Sequence, residues 1–249
     1  MLAVEVRMQL SGKSALVTGA SRGLGAALAA ELARRGARVV AVARGAEALE
    51  TTVSSIRRAG GEAHALVADQ GDRDAVYPLI RAATALVGPI DVLVLNASTL
   101  GPLPLRELVE TECEDFGRVL EVNLLGPFRL AKAVLGSMLV RGGGLVAGIS
   151  SDAAVNGYPG WGVYGVSKAG LDQLLRTWAA ELTGSGVRFL SIDPGEMDTR
   201  MHAEAMLDAD RATLARPADV ALRIVKLLEA AEAPPSGARI EASALERVA

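Results

Sequence analysis

"SALVTGASRGLG", residues 14–25, runs an apolar, β-rich stretch into three glycines, Gly19, Gly23 and Gly25, and then into a helical pattern. Glycines at these places allow a tight turn, close backbone approach of a ligand and close packing of the following helix. Free N–H groups and the positive end of the helix dipole then favour phosphate oxygens. A glycine-rich turn alone is weak evidence. Placed between a strand and a helix at the head of a strand–helix–strand unit, it marks a dinucleotide-binding turn. Gly19, Ser21, Arg22, Gly23, Leu24 and Gly25 are its expected contacts.

The pattern that starts here continues along the chain. Further apolar runs lie at 38–43, 63–68, 91–96, 144–150, 187–192 and 238–242. Helical patterns separate them, over Leu24–Arg35, Ala46–Ala59, Asp72–Val87, Cys113–Val140, Val163–Thr183 and Pro217–Ala231. Strands apolar on both faces and joined by helices predict an α/β protein with a parallel sheet covered on both sides. No linker divides the chain, so residues 1–249 are expected to form a single doubly wound domain, with residues 1–10 as an extension ahead of it. Gly36 and Gly60 stand where helices end, and Pro217 suits a first helical turn. In such sheets the ligand lies beyond the carboxyl ends of the strands.

Composition narrows the partner. Half of the 249 residues are hydrophobic, the net charge is −3 and aromatics make up 3%. That balance gives no basic field and no stacking surface for nucleic acid. Glu5 and Arg7 interrupt the N-terminus where a signal peptide needs an apolar core, and no apolar run approaches the ~20 residues of a membrane span. A single cysteine, Cys113 in "ETECEDF", fits a reducing, cytoplasmic setting and reads as an ordinary helix residue. His64 and His202 are isolated, so no metal site is expected. The expected partner is a small molecule.

At the end of the second strand an acidic residue would bind the free 2′-hydroxyl of NAD. The chain instead reads "AVARGAE", with Arg44 at that place and Arg22 inside the glycine turn. Two cations there suit the 2′-phosphate of NADP.

Further on, "VYGVSKAG" at 163–170 sets Tyr164 four residues before Lys168. The chain has only three tyrosines, and only Lys13, Lys132, Lys168 and Lys226 among its 26 basic residues are lysine. A lysine kept one helical turn after a rare tyrosine shares a face with it.

With "TGASRGLG", "LNAS", "EVN", "ISS" and "YGVSK" in this order, the chain resembles the short-chain dehydrogenase/reductase family in its short single-domain branch, from about Ser11 to Ala242. The resemblance implies a Rossmann-type, seven-stranded sheet of order 3-2-1-4-5-6-7, a nicotinamide cofactor, and hydride transfer at a carbonyl or alcohol carbon. It casts Tyr164 as acid/base, Lys168 as its support and ribose ligand, Ser151 as donor to the substrate oxygen, and Asn123 as a relay holding water. Asp69 would contact the adenine, Asn96 and Ala97 the adenosine ribose, and Pro194, Gly195 and Thr199 of "DPGEMDT" the carboxamide. It further implies a homo-oligomer, dimer or tetramer, built on the helices after strands four and five.

The residue types suit the chemistry. Delivering hydride to a carbonyl creates an alkoxide that needs a proton, and a free phenol of pKa about 10 is a reluctant donor at neutral pH. A fixed ammonium is expected to lower that pKa, and a lysine can do this while also donating to ribose hydroxyls. Ser151 rather than its neighbour Ser150 should reach the substrate, because adjacent residues at a strand end point oppositely. Two departures stand out: Leu95 and Ser98 replace the outer residues of the family's NNAG, and the Asp-Gly-Gly ending is missing. Pocket candidates are Ser98, Leu100, the 153–161 segment with Tyr158 and Trp161, and the 196–206 segment with Glu196, Met197, Met201 and Met206. The expected activity is an NADP-dependent interconversion of a ketone or aldehyde with an alcohol. The alternatives are an idle NADP-sensing module of the same fold, or an isomerase or lyase that recycles its nicotinamide.

Overall fold

The computed structural model describes residues 8–230 and 234–243. Seven strands, β1 (Ser14–Thr18), β2 (Arg38–Ala43), β3 (Glu62–Val67), β4 (Val92–Leu95), β5 (Gly144–Ile149), β6 (Val187–Asp193) and β7 (Arg239–Glu241), form one parallel sheet. Their order is β3-β2-β1-β4-β5-β6-β7, the order the resemblance implied. The helices are α1 (Gly23–Arg34), α2 (Ala46–Arg58), α3 (Val76–Val87), α4 (Cys113–Leu120), α5 (Gly126–Arg141), α6 (Gly162–Glu181), α7 (Arg200–Ala205) and α8 (Pro217–Glu229).

Alternation along the strands builds two cores. Ala15, Val17, Val39 and Ala41 face one side and pack against Leu28 and Leu32 of α1, Leu49 and Val53 of α2, and Ile224 of α8. Leu16, Val40, Leu93 and Phe189 face the other, against Ile80 of α3, Leu130 and Met138 of α5, and Leu171 and Leu175 of α6. Each fully buried leucine contributes about 1.5–3 kcal/mol, so a sheet lined this way fixes its own register. Gly36 and Gly60 take positive φ values of 83° and 86° just past α1 and α2, as their helix-ending role requires.

Four local readings change. Leu10 is 1% exposed and Met8 packs on the same core, so residues 8–10 belong to the fold; the rest of the expected extension, residues 1–7, lies outside the described residues. The third helix starts at Val76, four residues later than expected. Asp69 and Asp72 accept hydrogen bonds from the N–H groups of Gly71 and Asp74, at 2.9 Å each, and hold the intervening chain in turns that compete with a helix. The single helix expected over Cys113–Val140 contains a π-helical segment at Glu121–Leu125, where Gln70 Nε2 donates to the carbonyl of Val122 at 2.7 Å. Finally, the 200–214 region carries the unforeseen short helix α7. The predicted end of the last helix at Ala231 lies outside the described residues.

Candidate active site

The glycine turn is built for a close-fitting ligand. A Cβ on Gly25 would stand 2.3 Å from the Gly19 carbonyl oxygen, and one on Gly19, at φ +68°, would stand 2.8 Å from the Cα of Ala97. Asn96 holds the turn shut from behind: its Nδ2 donates to the carbonyl of Thr18 at 2.8 Å, while Thr18 Oγ1 accepts from the N–H groups of Asn96 and Ala97. The Asn96 amide thus braces the turn from the β4 side. Leu24 is buried in the core, which leaves only its backbone to offer a ligand. Gly23 faces Thr199, whose Cγ2 lies 3.5 Å from where a Cβ would be, so the turn and the "DPGEMDT" segment form two jaws of one cleft. Thr199 Oγ1 accepts from the His202 N–H at 3.2 Å and caps α7, and Gly195 donates its N–H to Asp193 Oδ1 at 3.0 Å.

No acidic residue stands in the first turn of α1, which keeps its dipole free for an anion. Arg22 is exposed at the start of that helix. Arg44 is exposed beyond β2, with Nη1 3.7 Å from Asp69 Oδ2. A cradle that a single methyl would fill, open helix N–H groups and two nearby cations fit a dinucleotide. Gly19, Ser21, Arg22, Gly23, Leu24 and Gly25 would hold its pyrophosphate side, Arg44, Asp69, Asn96 and Ala97 its adenosine side, and Tyr164, Lys168, Pro194, Gly195 and Thr199 its nicotinamide side.

At the carboxyl ends of β4, β5 and β6 the catalytic candidates converge. Tyr164 and Lys168 sit on the buried face of α6, 7% and 2% exposed, with Lys168 Nζ 5.5 Å from the Tyr164 ring centroid. Lys168 donates to the carbonyl of Ile149 at 2.7 Å, which ties α6 to the end of β5. Burial pushes the Tyr164 phenol up to about 12; the Ser151 and Ser98 hydroxyls pull against this, and Asp193 and Asp152 add to it. Ser98 acts from outside hydrogen-bond geometry, since its buried Oγ has no hydrogen-bonding partner. Burial also lowers Lys168 to about 8, opposed by Asp172 and Asp193. The expectation that the ammonium lowers the tyrosine pKa is therefore corrected. Desolvation dominates the phenol, and the ammonium gives its hydrogen bond to a backbone carbonyl.

Ser151 Oγ donates to Asp152 Oδ1 at 3.0 Å and accepts from the Ala153 N–H at 3.2 Å, and it lies near enough to the phenol to pull its pKa down, whereas Ser150 is 2% exposed with its Oγ buried and unpartnered. Asn123 lies in the π-helical segment, 1% exposed. Its Nδ2 donates to the Thr99 carbonyl and to Ser167 Oγ, both at 2.9 Å, and its Oδ1 accepts from the Thr99 N–H at 2.8 Å. A side chain so committed braces the β4 loop against α6. One Oδ1 lone pair is left over to accept from a water. Leu95, the first departure from the family segment, is 2% exposed and packs in the core.

A pocket opens beside Tyr164, lined among others by Leu100, Leu105, Arg106, Asp115, Val119 and Val163. Leu100, Ala153 and Tyr164 form a small apolar cluster that Leu105, Trp161, Met201 and Ala205 pack against, with the Trp161 ring edge-on to Tyr164 at 5.7 Å. Of the expected lining residues, Leu100, Ala153, Trp161 and Met201 thus reach the site. Tyr158 is turned outward, its hydroxyl donating to Asp152 Oδ2 at 2.9 Å; Met197 packs on the main core, and Met206 and Glu196 are exposed. Leu105, Arg106 and Val119 carry no local signal and reach the pocket through the fold of the 100–119 segment. The 197–215 loop is closed at its base by Asp198 N–H donating to the Ala215 carbonyl at 2.9 Å, and by Arg211 on Asp198 at 2.6 Å.

The family description "short chain dehydrogenase" matches residues 13–210. Over 231 residues, 90% of this chain, the sequence is 36% identical to the glycine betaine reductase of Emericella nidulans, of whose length it spans 18%. A metagenomic short-chain oxidoreductase solved in complex with NADP superposes with a TM-score of 0.79 at 32% identity, covering 94% of this chain and 98% of the other. An NAD⁺-bound xylitol dehydrogenase superposes with a TM-score of 0.84 at 27% identity, covering 94% and 98%.

Proposed function

The chain belongs to the short-chain dehydrogenase family, oxidoreductases of this Rossmann-like sheet that work with NAD(P), and from that premise we propose that it interconverts a ketone or aldehyde with an alcohol, using NADP(H). The bound nicotinamide supplies or accepts the hydride. Tyr164, held neutral by burial, donates the proton to the forming alkoxide. Ser151 donates a hydrogen bond to the same oxygen and stabilises its developing charge. Lys168 supplies a positive field beneath the phenol, and Asn123 fixes the loop and helix that position them. The observation that carries this reading is the buried Tyr164 phenol with the Lys168 ammonium 5.5 Å from its ring, that ammonium being tied at 2.7 Å to the Ile149 carbonyl two residues before Ser151.

The test is NADPH and NADH consumption against a panel of carbonyl compounds. Tight NADPH binding with no turnover of any of them would favour the sensing module instead. The apolar lining beside Tyr164 favours a compact substrate with an apolar body. The preference for NADP rests on Arg22 and Arg44. Arg44→Ala is expected to raise the NADPH dissociation constant about tenfold, the scale of one charge-assisted hydrogen bond, and to leave that of NADH unchanged. Equal NADPH affinity in the variant, read by cofactor fluorescence, would remove Arg44 from the phosphate site. Partly exposed Leu125, Phe128 and Leu139 along the π segment and α5, and Val166 on α6, support a homo-oligomer through these helices, which light scattering tests.

A further inference from the structure

Behind the catalytic trio lies a group of charges that none of the proposed steps uses. Arg239 of β7 is 15% exposed at its side chain and reaches three places at once. Its Nη2 donates to the carbonyl of Ser151 at 3.0 Å and to Asp193 Oδ2 at 2.7 Å. Its Nε lies 3.3 Å from Asp172 Oδ2, an ion pair whose angle falls short of a hydrogen bond. Both Asp172 oxygens are consequently buried with no hydrogen-bonding partner, on a residue only 5% exposed. A buried carboxylate without hydrogen bonds is costly, and the Arg239 guanidinium 3.3 Å away is placed to offset that cost.

The three partners are not neighbours by chance of sequence. Asp172 follows Lys168 by one helical turn, as Lys168 follows Tyr164, so the three form a stripe down the buried face of α6. Asp193 ends β6 and holds the N–H of Gly195 at the start of the nicotinamide segment. Ser151 is the oxyanion donor. With Lys168 and Arg239 set against Asp172 and Asp193, the group is electrically balanced. Glu241, the remaining acid on β7, is exposed and 3.4 Å from Arg239.

We propose that Arg239 is a positioning residue, whose planar fork locks the Ser151 loop, the Asp193–Gly195 turn and the Lys168 helix into one unit and so sets the geometry and field in which Tyr164 and Lys168 act. A lysine has a single nitrogen, so it could not keep one on the Ser151 carbonyl and Asp193 while setting another against Asp172, as Nη2 and Nε of Arg239 do. This deepens the oxidoreductase reading and rests on it for its kinetic part, while its electrostatic part can be tested without turnover.

The charges acting on Lys168 are Asp172 from α6 and Asp193 from β6, both of which pair with Arg239 of β7; Tyr164 lies beside it on α6, and Asp152, in the turn after Ser151, acts on Tyr164. The chain has four lysines, so ¹³Cε-labelled lysine gives few resonances, and Lys168→Met identifies the one to follow. Asp172→Asn keeps the shape and removes the charge; it is expected to move the Lys168 titration midpoint down from about 8. Arg239→Met unmasks the two carboxylates and is expected to move it up, with Arg239→Lys restoring the wild-type midpoint. In turnover, Arg239→Met is expected to lower kcat about 10–100-fold with little change in KM, and Arg239→Lys to recover only part of it. A merely structural loosening would expose Lys168 and raise its midpoint in Asp172→Asn as well. That outcome overturns the proposal, as do midpoints within about 0.3 pH units of wild type in all variants, or a kcat for Arg239→Met within twofold of wild type. Should Arg239→Met fail to fold, Asp172→Asn and Arg239→Lys decide on their own. A wild type that turns over no carbonyl defeats the oxidoreductase reading, and the midpoints then decide the network.

Discussion

Tyr164→Phe is expected to lower kcat for carbonyl reduction by about 10²–10⁴-fold, the range of a positioned general acid, and to leave NADPH binding nearly unchanged. The ring stays in the apolar cluster with Leu100 and Trp161, so packing is kept and only the hydroxyl beside Ser151 is lost. A phenol pushed up to about 12 is protonated throughout the neutral range, which favours proton donation over proton removal. The same shift has a signature in stability. Because the folded chain holds this proton more tightly than the unfolded one, the stabilisation is complete below pH 10 and is lost as pH rises through 12. Tyr164→Phe should lack that loss. Steady-state NADPH oxidation and alkaline denaturation read the two effects, and a phenylalanine variant within tenfold of wild type would sink the assigned acid.

The second large effect belongs to Lys168. Lys168→Met is expected to reduce turnover on a similar scale, about 10²–10⁴-fold, because it removes the only ammonium within reach of the phenol among the described residues. Lys168→Arg should rescue little. The side chain is 2% exposed and its Nζ already sits 2.7 Å from the Ile149 carbonyl, so a broader guanidinium forces a shift costing about 1–3 kcal/mol. Reductive activity should fall above pH about 8 as the ammonium is lost. For stability the sign is reversed relative to the tyrosine. The unfolded chain binds this proton more tightly, so burying the charge costs stability below pH 8, and the cost is relieved as pH rises toward 10.5. A pH–rate profile in which Lys168→Met keeps the alkaline fall would assign that fall to another group.

Much of this was legible in the residues. The strands of a parallel sheet are apolar on both faces, so their runs announce themselves, and the observed strands fall within a residue or so of the sequence reading. The glycine turn, Ser151, Tyr164 and Lys168 are short motifs whose spacing is their geometry. What stayed hidden depends on contacts between distant segments. The π segment arises where Gln70, 52 residues upstream of Val122, takes a helix carbonyl. The burial that raises Tyr164 comes from loops folding over it, and the commitment of Asn123 depends on Thr99. Arg239 stands in "GARIEAS", which looked like a last strand lacking its usual ending. Nothing in those seven letters points to an aspartate on a helix 67 positions earlier.

The seventh strand pairs through only three residues at the edge of the sheet, Arg239 to Glu241 against Ser191 to Asp193. Edge segments with so few ladder bonds open by local fluctuation at a small fraction of the free energy of global unfolding. Each such opening would withdraw the arginine from the serine loop while the rest of the sheet stays intact. Under mild denaturant, catalysis should therefore fade before helical circular dichroism does. Amide exchange at residues 239–241 would set the ceiling on how long the enzyme stays continuously competent.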